Sequence, residues 1–177
     1  MKRFTTIVIL FFLLSCGFKQ DDSGKLPGDA EIQAQKDSVN ILLNNYHKAA
    51  ADAKFDNYFN CFDTDAIFTG TDATERWDKK SFMEWSKPYF DKGKAWSFTA
   101  LQRNIYLSPD GKMAWFDELL DTQMKICRGS GVLVHTPLGW KIKQYILSMT
   151  IPNSQLKGIL LLKSHEEDSV MATIKNK

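Results

Sequence analysis

The sequence predicts an α+β domain in which a curved antiparallel β-sheet wraps against helices. In the first half of the chain, apolar residues recur at intervals of three and four, which is the spacing of amphipathic helices. From Ala95 onward the apolar period shortens towards two, as in half-buried strands. Helices that precede a run of strands along the chain favour this layered architecture.

Three helices and one short strand are predicted before Ala95. A long helix is expected over residues 31–54. Its apolar face comprises Val39, Leu42, Leu43, Tyr46, Ala50 and Ala53. The aromatic run 55–62 indicates a short second helix, and residues 66–70 a short strand. Ser81 is the predicted N-cap of a third helix, in which Pro88 limits regularity and which Gly93 ends.

Four long strands are predicted after these helices. They span residues 95–107, 112–123, 125–135 and 139–151, with turns at Ser-Pro-Asp-Gly (108–111) and Thr-Pro-Leu-Gly (136–139). A short helix is expected over 155–162, and residues 164–177 are expected to be a frayed tail.

The last two strands raise a question of register. By two-residue alternation, one face of the last strand carries Trp140, Ile142, Gln144, Ile146 and Ser148. This apolar face is predicted to point towards the helices. If Val134 lies opposite Ile142, then Arg128, Ser130 and Val132 also point inward. A shift of one residue would place Arg128 outside instead.

Residues 1–15 are interpreted as a lipoprotein signal peptide. Lys2 and Arg3 precede the apolar run 7–14, which is too short for a transmembrane helix because a span needs about 20 residues. Leu-Leu-Ser-Cys-Gly at 13–17 resembles a lipobox, which implies cleavage before Cys16 and its lipidation; the alternative is an ordinary signal peptide. The resemblance implies an outer-membrane lipoprotein of a bacterial cell envelope, facing the periplasm or the cell surface. Residues 16–30 are interpreted as a flexible tether, and residues 31–163 as one domain.

Charge and cysteine content exclude several classes of function. The chain has 23 basic and 21 acidic residues. Loss of Lys2 and Arg3 with the signal peptide leaves 21 of each, so no basic excess supports a nucleic-acid partner. Cys61 and Cys127 are expected to be separate buried thiols, with a disulfide as the alternative. No metal or cofactor site is predicted, since no Cys/His cluster or phosphate-binding loop occurs.

Several stretches resemble the nuclear transport factor 2-like superfamily, and more narrowly its SnoaL-like bacterial branch. They are 68–77 (FTGTDATERW), 113–120 (MAWFDELL), 128–133 (RGSGVL) and 139–153 (GWKIKQYILSMTIPN). The resemblance covers roughly residues 35–153 and implies a cone, in which the sheet wraps around the long first helix. The superfamily includes dehydratases, isomerases, polyketide cyclases and non-catalytic binding or assembly domains, so the fold alone does not select a function.

A ligand pocket inside the cone is the first site hypothesis. An inward Arg128 needs a carboxylate partner, either Asp117 or Glu118, and Arg103 is a second candidate cation. Tyr58, Trp77 and Trp115 would form apolar walls around it. The alternative is a buried ion pair within an ordinary aromatic core. Many relatives carry a histidine near the position of Ile146; here the polar group on that predicted face is Gln144, which does not titrate.

Two further hypotheses remain open beside binding without catalysis. One is a cofactor-free dehydratase, isomerase or cyclase, with His47 as a base opposite Asp63 or Asp65 and Arg128 stabilising a developing anion. The other is a homodimer formed through the outer face of the sheet, with Lys141, Lys143 and Tyr145 at its rim. The ligand expected for the binding hypothesis is a small apolar or amphipathic molecule, or a protein partner.

Overall fold

The computed structural model describes residues 28–176. The predicted signal peptide, Cys16 and most of the predicted tether lie outside the described residues. The helices are α1 (Asp29–Ala51), α2 (Phe55–Phe59), α3 (Lys79–Asp91) and α4 (Leu156–Lys175). The strands are β1 (Phe62–Thr69), β2 (Arg76–Asp78), β3 (Phe98–Leu107), β4 (Met113–Thr122), β5 (Lys125–Thr136) and β6 (Gly139–Met149). None of the helices within residues 28–176 has the length and apolarity that crossing a membrane requires.

The strands form one open six-stranded sheet in the order β2-β1-β6-β5-β4-β3. Strands β3 to β6 are the predicted antiparallel meander, and the α+β class is confirmed. The sheet is mixed rather than purely antiparallel, because β1 pairs with β6 in parallel. The short strand β2, which was not predicted, forms the edge beyond β1.

The core lies between α1 and the concave face of the sheet. Val39, Leu43, Tyr46 and Ala50 of α1 are buried, which confirms the predicted apolar stripe. Trp140 and Ile142 are buried on the sheet side, as predicted. Much of the remaining core is aromatic: rings of α2, α3 and β1 pack on one another beside Tyr46.

The predicted register of β5 and β6 is wrong beside the turn, and a β-bulge in β6 changes the alternation further along. Leu133 rather than Val134 pairs with Ile142, and the next pair is Val132 with Gln144, so Lys143 is an extra residue in β6. The bulge reverses the alternation beyond it. Tyr145 and Leu147 therefore point into the core, whereas Gln144, Ile146 and Ser148 lie on the convex face. Being buried, Tyr145 does not contribute to the rim predicted for a dimer interface.

The same register places alternate residues of β5 on the convex face. Cys127, Gly129 and Leu133 are buried, and Arg128 between them is exposed. Ser130, Val132 and Val134 share the side of Arg128, since side chains alternate along a strand. The expectation of an inward Arg128 was therefore wrong.

Two helix ends differ from prediction. The N-cap of α3 is Asp78, whose Oδ1 accepts a hydrogen bond from the Ser81 backbone N–H at 2.8 Å, so Ser81 lies inside the first turn. Gly93 follows the end of α3 with a positive φ of 72°, in agreement with its predicted role. The C-terminal helix runs to Lys175 instead of ending at residue 162, and none of its residues is buried.

We expect Gly131→Ala to destabilise the sheet. A Cβ at this position would lie 2.2 Å from the carbonyl oxygen of Gln144 and 2.9 Å from the Phe116 ring. Backbone and ring must both shift, and such overpacking costs about 1–3 kcal/mol. Urea unfolding followed by tryptophan fluorescence would measure the loss. Gly158→Ala is the matched control, because nothing lies within 4 Å of its Cβ position. Equal midpoints for both variants would contradict the expectation.

Candidate functional site

A buried carboxylate occupies the centre of the cone. Glu118, on the concave face of β4, is 1% exposed. Its Oε1 accepts a hydrogen bond from the Tyr145 hydroxyl at 2.8 Å and lies 2.9 Å from His47 Nε2. Its Oε2 accepts from Arg103 Nε at 2.8 Å. Both carboxylate oxygens are therefore occupied by side chains from three other elements, α1, β3 and β6.

Arg103 connects this carboxylate to the first helix. Its Nη1 donates to the side-chain oxygens of Asn40 and Asn44 on α1, at 2.7 Å in each case. Its Nη2 also lies 2.6 Å from Glu118 Oε2, which is an ion-pair contact without hydrogen-bond geometry. The hydrogen bond to that oxygen comes from Nε. The guanidinium thus bridges α1 and the sheet. We call Glu118, Arg103, His47 and Tyr145 the buried polar cluster.

The electrostatics of the buried polar cluster favour an ionised Glu118. Burial raises the pKa of this carboxyl. The hydrogen bond and charge of His47, together with the Arg103 guanidinium, lower it by more, so the net pKa lies below the ordinary value. An ionised carboxylate only accepts hydrogen bonds, which places a proton on Nε2 of His47. The cluster is therefore an ion pair network in which both oxygens of the Glu118 carboxylate are bonded.

Three buried tyrosines surround this network as neutral phenols. The Tyr46 and Tyr58 hydroxyls lie 2.6 Å apart. Burial is the largest influence that raises the pKa of Tyr46, Tyr58 and Tyr145. Their hydroxyls therefore serve as hydrogen-bond partners within the core.

An open pocket lies beside the cluster, with a volume of about 160 Å³. We call it the aromatic pocket. Its lining comprises Phe68, Gly70, Thr71, Glu75, Trp77, Phe82, Trp85, Trp96, Phe98, Gln123, Met124 and Leu147. The Trp77 and Trp85 rings stack with centroids 4.8 Å apart. Such a cavity can enclose one small ring or alkyl group, since apolar walls with few polar groups are typical of small-molecule sites.

Aromatic side chains separate the two features. Phe68 lines the aromatic pocket on one side and stacks on Tyr145 with its centroid 5.8 Å away. Phe98 likewise lines the pocket and lies 6.0 Å from the His47 ring. None of the four residues of the buried polar cluster lines the pocket. A molecule in the pocket would meet aromatic faces and would not reach Glu118 or His47.

Some sequence-predicted site residues come together. Arg103 pairs with Glu118, His47 joins them, and Tyr58 lies near through its bond to Tyr46. Trp77 lines the aromatic pocket, which is separate from the Arg103–Glu118 pair.

Other predicted residues lie elsewhere. Arg128, Trp115, Asp117 and Gln144 are on the convex face, where Arg128 and Asp117 border a shallow depression. The predicted pairing of His47 with Asp63 or Asp65 is wrong, because both aspartates pair with Lys143. The partner of His47 is instead Glu118, which lies on the concave face of β4.

Sequence reasoning missed Tyr145, Trp85 and Trp96. Tyr145 points inward only because of the bulge, but a glycine in the neighbouring strand carried a signal. A Cβ at Gly129 would lie 2.3 Å from the Tyr145 hydroxyl and 2.9 Å from Glu118 Oε1. Glycine within a strand often marks such a close approach.

Residues 28–176 include both cysteines of the predicted domain. They contain no group of three His, Cys, Asp or Glu side chains placed to hold a metal ion. Cys61 and Cys127 are free thiols, the first half-buried and the second buried. Burial raises the pKa of Cys61 to about 11, so this thiol is protonated at neutral pH.

Comparisons with known proteins identify the fold. A family model described as a SnoaL-like domain matches residues 39–152, more than half of the chain. A nuclear transport factor 2-like protein from Pseudomonas putida superposes with a TM-score of 0.58 at 12% identity, covering 68% of this chain and 90% of that one. A domain with a cystatin-like fold from Nostoc punctiforme gives 0.60 at 12% identity, with 81% and 98% covered. The association domain of C. elegans CaMKII gives 0.56 at 18% identity, with 69% and 100% covered. No curated protein matches the sequence.

We expect Glu118→Gln to destabilise the protein strongly at neutral pH. The amide keeps the shape but leaves the buried Arg103 without a counter-charge, and breaking a buried pair costs about 3–5 kcal/mol. Because the pKa of Glu118 is lowered on folding, its contribution is present above the unfolded value of about 4.3 and is lost as pH falls through the folded value.

Urea unfolding at pH 7 and through the acid range would test this. The difference in free energy of unfolding between wild type and Glu118→Gln should become smaller at acid pH. Asp117→Asn is the control, since Asp117 is the adjacent residue and lies on the convex face. Equal losses in both variants would show that the buried polar cluster has no special role.

Proposed function

This chain belongs to the SnoaL-like domain family, and we propose that it is a lipid-anchored envelope protein whose cone binds a small apolar or amphipathic molecule without transforming it. The binding site would be the aromatic pocket. Stable anchoring would come from acyl chains at Cys16, since each buried CH₂ contributes about 0.8 kcal/mol.

This proposal rests on one observation: aromatic side chains separate the buried polar cluster from the aromatic pocket. General acid–base chemistry needs a titratable group within reach of the substrate. His47 and Glu118 bond to each other at 2.9 Å and lie behind Phe98 and Phe68. The open pocket instead presents tryptophan and phenylalanine faces, with Glu75 as its one carboxylate among the lining residues. Such walls favour retention of an apolar group over its activation.

A cofactor-free enzyme of the dehydratase or isomerase type is the second candidate. The His47–Glu118 dyad favours it, because a carboxylate that orients a histidine recurs in acid–base catalysis. Here, however, His47 directs its Nε2 at Glu118, and Arg103 also holds that carboxylate. Catalysis would require Phe98 to move aside and admit the substrate to His47. Binding without catalysis requires no such movement.

A homodimer through the convex face is proposed as the assembled form. Tyr106 and Trp115 stack there with centroids 5.8 Å apart, and Trp115 is 47% exposed. Arg128 and Asp117 lie on the same face, so a two-fold related copy would bring opposite charges together around the apolar patch. A second copy of the chain is therefore the partner whose chemistry fits.

We expect benzyl alcohol to bind in the aromatic pocket. The chain contains five tryptophans. Indole N–H resonances of Trp77, Trp85 and Trp96, which line the pocket, should shift in ¹H–¹⁵N spectra during a titration. Those of Trp115 and Trp140, which do not, should stay in place and serve as internal controls.

Filling the pocket should abolish these shifts. Met124→Trp places a larger side chain in the lining, whereas Met113→Trp makes the same change on the exposed convex face and should leave binding intact. Shifts that persist in Met124→Trp, or that spread equally over all five indoles, would refute binding at this site.

We expect Cys16 to carry the lipid. The full chain expressed in a Gram-negative host with an alkyne-tagged fatty acid should incorporate the tag and fractionate with membranes. Cys16→Ala should lose both properties, and Cys61→Ala, the matched control, should retain them. Equal labelling of the Cys16→Ala variant would exclude the lipid anchor.

We expect Trp115→Lys to convert the dimer into a monomer, because a charge in the centre of an apolar interface is costly to desolvate. Size-exclusion chromatography with light scattering over a concentration series would measure the mass. Leu138→Lys, in the exposed β5–β6 turn, is the control and should remain dimeric. A wild-type chain that is monomeric throughout the series would rule out this assembly.

A further inference from the structure

The lining of the aromatic pocket contains negative charge and no positive charge. Its lining includes no lysine, arginine or histidine, and Glu75 is the one ionisable side chain among those residues. A pocket with this composition disfavours an anion, because an anion would meet a carboxylate and no counter-charge. It accepts a neutral group or a cation.

The aromatic faces favour a cation. Trp77, Trp85 and Trp96 line the pocket and keep part of their surface exposed, with Phe82 buried behind them. The face of an aromatic ring carries a negative potential that attracts cations, and tryptophan does so most strongly. Three half-exposed indoles therefore line this one cavity, and indole faces are the groups that best attract a quaternary ammonium.

Glu75 is held in the lining of the aromatic pocket. A Cβ at Gly70 would lie 2.1 Å from Glu75 Oε2, so the carboxylate folds over a position that only glycine leaves open. The backbone N–H of Asp72 donates to the same oxygen at 3.2 Å. Among the ion pairs formed by residues 28–176, none involves Glu75. Its charge is therefore available to a ligand.

We propose that the aromatic pocket binds an alkylated ammonium group, such as the trimethylammonium end of a small molecule; this inference rests on the proposed ligand-binding function. Methyl groups make contact with the indole faces, while the charge is balanced by the rings and by Glu75. An alkylated ammonium is more weakly hydrated than a primary amine, so less solvation is lost on entry. A cavity of about 160 Å³ accommodates a head group of this size.

The test compares choline with 3,3-dimethylbutan-1-ol, in which a carbon atom replaces the charged nitrogen. The two molecules share shape and hydroxyl group, so the difference in their affinity isolates the charge. Titration of the protein, followed through the indole resonances of Trp77, Trp85 and Trp96, should give a Kd for choline at least about tenfold below that of the neutral isostere.

A substitution of Glu75 tests whether its carboxylate contributes to the difference in affinity. Glu75→Gln should weaken choline several-fold and leave the isostere unchanged. Glu84→Gln, the same change on the exposed surface of α3, should alter neither affinity. Thermal melting of both variants would verify that each is folded.

Each outcome has a distinct meaning. Equal or tighter binding of the isostere, or equal effects of the two glutamine variants, overturns the ammonium proposal and leaves ligand binding intact. Binding of benzyl alcohol without choline has the same meaning. Failure of choline, the isostere and benzyl alcohol together overturns the proposed function as well.

Discussion

The buried carboxylate of Glu118 is the constraint around which the cone is organised. It lies on β4 and is contacted by α1 through His47, by β3 through Arg103 and by β6 through Tyr145. A charge in this position is tolerated only when it is paired and fully hydrogen-bonded. These partners must therefore all be present at once, which fixes how α1 lies across the concave face. The two asparagines that bind Arg103 extend the same constraint towards the N-terminal half of α1.

The aromatic residues have two roles that follow from this arrangement. On the inner side, Phe68 and Phe98 cover Tyr145 and His47, which excludes water from the ion pair and strengthens it. On the outer side the same rings form the floor of the aromatic pocket. A single layer of side chains therefore insulates the structural charges and presents a binding surface. This division explains why the buried polar cluster and the aromatic pocket are different places.

The sequence is sufficient to predict the helices and the long strands. It is not sufficient to predict which side chains of each strand point into the core. Long strands and the first helix were predictable because their apolar periods persist over many residues and because Pro-Asp-Gly and Pro-Leu-Gly mark the turns. A buried arginine–carboxylate pair followed from the cost of an unpaired buried charge, but the arginine that forms it is Arg103 and not Arg128. The bulge at Lys143 was not predictable from alternation, which assumes an unbroken strand, and it placed Gln144 outside and Tyr145 inside. Arg128 lies outside because Leu133, and not Val134, pairs with the inward Ile142. The parallel pairing of β1 with β6 joins residues far apart in sequence, so no local pattern encodes it.

The insulation between the buried polar cluster and the aromatic pocket also bears on how such a domain can diversify. Folded domains have only about 5–15 kcal/mol of net stability, so replacement of a cluster residue removes a large share of it. Half-exposed pocket residues such as Trp85 and Glu75 share no bond with that cluster. Their substitution should therefore change the free energy of unfolding little. Selection can therefore reshape the chemical preference of the cavity repeatedly while the scaffold persists, which is one physical route by which a single architecture comes to serve unrelated ligands.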